Sequence, residues 1–171
     1  MTIPRFARLT MGLAAFAIAG GTTLARAADV PFQGAVGSEC VLTVGTPGRL
    51  VPTNDGGTPN DTLTSSGAGG ISGTVTALAV GSTFELAITA PTDWTATALV
   101  DPNADPSADS FTATYSATGA TIVTNVASTI ATLLGIGTTT VSVDLVASKA
   151  TGFPAGVYNA IVVVTCEDPN A

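Results

Sequence analysis

The sequence contains no histidine, only five basic residues and few aromatics. Each scarcity excludes something. Without histidine there is no Ser-His-Asp triad, no Cys-His dyad and no imidazole ligand for zinc or haem. Five Lys and Arg against 12 Asp and Glu leave no basic face for nucleic acid. Charged residues make up only 10% of the chain, yet 46% is hydrophobic, so this is not an acidic disordered tail. A length of 171 residues suits one domain.

The few cations are unevenly placed. Arg5, Arg8 and Arg26 lie in the first 27 positions. Arg5 and Arg8 precede the apolar run Met11–Gly20, and Ala25-Arg26-Ala27 follows as a small-x-small cleavage site. This pattern predicts a secretory signal peptide over residues 1–27. The apolar run is too short to span a membrane, which takes about 20 residues, and no later run is longer. Residues 28–171 then keep every acidic residue but only Arg49 and Lys149 as cations. Such a chain is expected to be exported through the periplasm and to avoid nucleic acid and anionic membranes.

Cys40 and Cys166 both lie beyond the cleavage site. In an exported protein such a pair is most simply one disulfide. It would close most of the mature chain into one loop, worth ~4–5 kcal/mol in the chain-entropy account. It also requires the first strand to lie beside the last.

The mature chain is rich in Thr, Val, Ala, Ser and Gly, the composition of strands and turns. Phe84, Leu86 and Ile88 alternate with more polar neighbours, as do Phe111, Ala113 and Tyr115, and Val141, Val143 and Leu145. Tyr158, Ala160, Val162, Val164 and Cys166 share one face of the final run. Period two predicts half-buried strands. Gly81-Ser82 reads as a hairpin turn between 71–80 and 83–90. Residues 53–70, rich in Gly, Asn and Asp, read as an exposed loop. Residues 125–134 fit a short helix or a strand, with strand or irregular structure favoured. The expected architecture is one all-β domain over 28–171, a β-sandwich, with a closed barrel as the alternative.

Residues 30–42, VPFQGAVGSECVL, place Val30, Phe32, Gly34 and Val36 in alternation ahead of Cys40. This resembles the V-x-F-x-G-x-V…C start of fimbrial subunits assembled by the chaperone–usher route, and of secreted spore-coat-protein-U-like domains. Pro154-Ala155-Gly156-Val157-Tyr158 is similar to the lead-in to their terminal strand. The resemblance implies an immunoglobulin-like sandwich that lacks one strand and is completed by a neighbour's N-terminal segment. Val30, Phe32 and Val36 would enter the groove, with Gly34 where no side chain fits. Partners would be further copies joined head-to-tail, with a periplasmic chaperone and an outer-membrane usher, at a pilus or cell surface. The sequence departs from the pattern in three ways. Only Ala28 and Asp29 precede the candidate donor strand, the second cysteine lies in the last strand, and the chain ends Cys-Glu-Asp-Pro-Asn-Ala. An ordinary first strand, paired within its own domain, is the competing reading of 30–36.

Asp101, Asn103, Asp105, Ser107 and Asp109 put an oxygen-bearing side chain at every second position. Calcium loops use such spacing, but Pro106 replaces the EF-hand glycine and Thr112 its final Glu. The competing reading is a solvated acidic turn. Glu85, Asp93 and Asp144 fit no catalytic motif, so no enzymatic activity and no cofactor are expected. Asn60-Asp61-Thr62 matches a glycosylation sequon. Trp94 reads as a core or edge aromatic, with sugar stacking as the lesser alternative. The leading expectation is a secreted structural subunit that self-assembles through residues 30–36. The alternative is a monomeric exported binding module for glycan or calcium.

Overall fold

The structure is a computed structural model that describes residues 37–53 and 58–169. The expected signal peptide and donor residues Val30, Phe32, Gly34 and Val36 lie outside the described residues. Among the described residues there are strands and turns but no helix. In chain order the strands are β1 (Glu39–Val44), β2 (Val51–Thr53), β3 (Thr62–Thr64), β4 (Gly73–Val80), β5 (Phe84–Thr89) and β6 (Ala96–Leu99). They continue with β7 (Ser110–Gly119), β8 (Val123–Ala127), β9 (Thr132–Leu134), β10 (Gly137–Ser148), β11 (Gly156–Asn159) and β12 (Val163–Glu167).

The strands form a β-sandwich. One layer is a sheet running β1-β4-β10-β7-β8, with β3 and β2 continuing beyond β4 along the same side of β10. The other layer holds β12-β5-β9, and the β11-β6 pair extends it. All pairings are antiparallel. The β1-β4-β10-β7 order opposite β5-β12 reproduces the A-B-E-D and C-F strands of an immunoglobulin-like sandwich. Among the described residues, nothing occupies the seventh strand position, on the far side of β12 from β5.

Alternation produces this packing directly. Ala77 and Ala79 on β4, Leu86 and Ile88 on β5, Tyr115 and Ala117 on β7, and Val141 on β10 point between the layers and are buried. Their neighbours in sequence face outward, as a pleated strand requires. A second core cluster gathers Leu63, Ala147 and Phe153, with Trp94, Phe111 and Tyr158 packed against it. Residues 125–134 resolve as the end of β8, a turn and β9. Asn125 takes a left-handed φ of 50°, beside a register shift in the β7–β8 ladder.

Two expectations are corrected. Gly81-Ser82 does not close a hairpin. Gly81 turns at φ 79°, and the chain then crosses from β4 in one layer to β5 in the other. The reason is that both edges of β4 are taken, by β1 and β10. The stretch 53–70 is also not all exposed loop. Thr62-Leu63-Thr64 pairs with both β2 and β10, and Leu63, Thr64 and Ser65 are buried. A β-branched pair around one leucine outweighs the turn-forming residues on either side.

Cys40 on β1 and Cys166 on β12 form the expected disulfide, with Cα atoms 6.3 Å apart across 126 positions. It joins the edge of one sheet to the edge of the other. Replacing both cysteines by serine should lower unfolding stability by about 4–5 kcal/mol, because the open chain regains the closed loop's entropy. Urea unfolding, each form extrapolated with its own m-value, measures this. A loss below about 1 kcal/mol would contradict a topological role for the bridge.

Candidate functional site

Among the described residues, the outer flank between β1 and β12 is where this sandwich differs from a closed one. Among the described residues β1 pairs only with β4, and β12 only with β5. Each therefore presents one edge of main-chain N–H and C=O groups without a ladder partner, and such edges template strand addition. The inward side chains beside these edges are only half-buried. Leu42, Val162 and Val164 pack on the core without being covered by it.

The two edges run in opposite directions along the flank, and the disulfide ties them at one end. Beyond the other ends of these two strands lies a groove of about 810 Å³. Val44, Pro47 and Leu50 line one wall, and Val157, Ile161 and Val162 the other. Leu63, Val143 and Leu145 also line it, all from the sandwich core. The wall after β1 is irregular because Pro47 and Gly48 interrupt the strand, leaving Arg49 bridged to Ile71. The opposite wall is the break between β11 and β12, at Ala160–Val162. Alternation alone does not reveal this groove. The available signal is the unbroken run Ile161-Val162-Val163-Val164, which puts apolar Ile161 and Val163 on the exposed face of an otherwise alternating segment.

The alternating oxygen series 101–109 serves the loop's own turns. The Asp101 carboxylate accepts from the Asn103 amide, and Asp105 accepts from the Ser107 amide and hydroxyl. Asp109 accepts from the Ala150 amide. The buried Lys149 ammonium donates to Asp105 at 3.0 Å and to the Ser107 carbonyl at 2.7 Å. Among the described residues no three carboxylate or thiol groups converge as a metal shell requires. The Ser107 hydrogen bonds, then Lys149, hold the Asp105 carboxyl down at about 2 from its ordinary 3.8.

The other singled-out residues lie apart from one another. Asp144 accepts from the hydroxyls of Ser65 and Ser72, Asp93 accepts from the Trp94 amide, and Glu85 stands on β5 opposite Glu167. Trp94 is an edge aromatic. Its indole N–H donates to the Pro106 carbonyl at 2.9 Å, and its ring meets Phe111, Phe153 and Tyr158 with centroids 4.8–5.8 Å away. Burial, and then the Asp105 charge, push the Tyr158 phenol upward. Asn60 is exposed, in a left-handed turn at φ 58°. No family model matches the chain, and neither a curated protein nor a solved structure matches it.

Because the Asp105 carboxyl is depressed in the folded state, its stabilising contribution is complete above the unfolded value of 3.8 and is lost as pH falls towards 2. Asp105→Asn should therefore be less stable than the parent near neutral pH, and the gap should close across that acid window. Thermal unfolding followed as a function of pH reads this directly. A gap of constant size down to the bottom of the window would contradict it.

Proposed function

We propose that the chain is a secreted structural surface subunit that self-assembles by strand donation. Its residues 30–36 fill the flank groove of the next copy, and the work done is assembly, with no turnover of substrate. The observations that carry this reading are the edge of β12 that has no ladder partner among the described residues and the apolar groove that opens next to it, at the break between β11 and β12. An extended segment there gains main-chain hydrogen bonds from an open edge and seats alternate side chains in the groove. Val30, Phe32 and Val36 supply those side chains, and Gly34 permits close approach.

The dimensions favour a neighbour over the chain's own segment. Seven residues at about 3.3 Å each span roughly 23 Å, comparable to the run of chain from Leu42 to Leu50. A strand lying between two others separates them by about 9.5 Å, twice the interstrand spacing. At Cys40 and Cys166 the separation is 6.3 Å. A segment folding back from Gly37 onto its own β1 would have to pass at that level, where the bridge leaves no room. A segment from another copy can come in from the open end, parallel to β1 and antiparallel to β12. Such a contact joins two different surfaces, so it propagates without closing. A periplasmic chaperone and an outer-membrane usher are the partners this reading entails during export, and a pilus or other surface fibre is the product.

The test uses the chain beginning at Ala28. Unheated, non-reduced samples should run as ladders on SDS gels and form thin filaments in negative stain. Phe32→Asp with Val36→Asp should abolish both while leaving a folded monomer. A single monomer band and no filaments from the parent chain would refute self-assembly and favour a monomeric binding module.

A further inference from the structure

The geometry points to a second contact between successive copies: the pole from which residues 30–36 leave one copy packs against the pole around the groove mouth of the next. This inference rests on the strand-donation reading and adds a surface to it. Gly37 and Ser38 are all that separate Val36 from β1. Three Cα-to-Cα steps reach roughly 10 Å at most, so a donor seated in the next groove holds the two bodies against each other. The surfaces brought together are therefore fixed by chain length.

The first pole is built from turns tied together beside Gly37. A Cβ on Gly81 would meet the Gly37 carbonyl at 2.9 Å. The turn after β7 and the turn before β10 are linked by the Ala120 amide donating to Thr138 and the Gly135 amide donating to the Thr121 hydroxyl. The ladders carry this end across the sheet, with Glu39 opposite Val80 and Gly137 opposite Ala79. On those two turns Ile122 and Ile136 are 78% and 62% exposed. The second pole lies at the other end of the strands, where β6 runs out beside β11. There Val100, bonded through its amide to Ala155, and Val157, on the groove wall, are 80% and 60% exposed. Large aliphatic side chains thus stand exposed at both ends that the short connection forces together. Burying them against each other removes apolar surface from water.

Charge does not supply the attraction. Glu39, Glu85 and Glu167 stand at the first pole, and Asp101 follows Val100 at the second. At that second pole the exposed Arg49 on the groove lining offsets Asp101, so screening by added salt should not shorten the polymer.

The test separates this contact from strand donation. The first arm takes the chain from Ala28 carrying Phe32→Asp and Val36→Asp, and titrates it with a synthetic peptide of residues 28–38. Uptake of the peptide reports the groove alone. The second arm takes the otherwise unaltered chain carrying Ile122→Asp and Ile136→Asp, and measures polymer mass by sedimentation velocity. The substituted side chains are exposed, so the fold should persist, checked by an unchanged urea midpoint. We expect peptide uptake to be the same whether or not the two isoleucines are replaced. We expect polymer mass to fall about tenfold or more when they are, as hot-spot contacts do when lost. Val100→Asp, at a position outside the groove lining, should also lower polymer mass with peptide uptake unchanged. Polymers of parental mass from the isoleucine variant, with normal peptide uptake, would overturn the pole contact and leave strand donation standing. Polymers that shorten as salt is raised would overturn its apolar character. Failure of the peptide to bind would remove the reading on which the contact rests.

Discussion

Among the described residues, the Cys40–Cys166 bridge holds the unpaired edge of one sheet against the unpaired edge of the other, and the flank between them takes its shape from that tie. The disulfide pins these two edges at one end, and among the described residues they do not pair with each other. Their inward side chains consequently stay half-buried, and a groove floored by core leucine and valine remains on the surface. The fully buried core lies elsewhere, on β4, β5, β7, β9 and β10. A sandwich of this kind can keep one flank unfinished because its central strands already bury their apolar faces on one another.

On the strand-donation reading, the same tie would give direction to assembly. One end of the flank is stopped by a covalent bond and the other is open. An incoming strand has one way in and one orientation that sets it antiparallel to β12. On that reading, a link that reads in the sequence as a stabilising loop closure would also favour intermolecular over intramolecular completion. The reading requires no catalytic group. It accords with the scattered carboxylates, each of which is used locally: Asp144 under two hydroxyls, Asp93 at a turn, and Asp105 on Lys149.

Much of the fold was legible because period-two alternation marks buried faces regardless of which strand pairs with which. Phe84, Leu86 and Ile88 on β5, and Val141, Val143 and Leu145 on β10, are cases in point. The cysteine pair was legible because export and an even count leave one simple outcome. The hairpin at Gly81 was misread because a turn signal fixes a change of direction and does not say whether the next strand stays in the layer. That depends on β1 and β10 already flanking β4, a matter of distant pairing. Leu63 was missed because three strand-forming residues amid Gly, Asn and Asp are too few to show a period. The groove was legible only in part. Residues 30–36 and 154–158 drew notice through a resemblance, whereas the walls at Val44–Leu50 and Ala160–Val162 are defined by missing neighbours, which no local pattern records.

The central claim is that the free edge of β12 accepts a strand, and hydrogen exchange at the β12 amides tests it most directly. The chain carrying Phe32→Asp and Val36→Asp would be compared before and after addition of the 28–38 peptide. The account predicts that the β12 amides facing away from β5 exchange rapidly in the monomer and become strongly protected with peptide bound, while β4 and β10 stay protected throughout. Protection of those β12 amides in the monomer, or no change on adding the peptide, would contradict it.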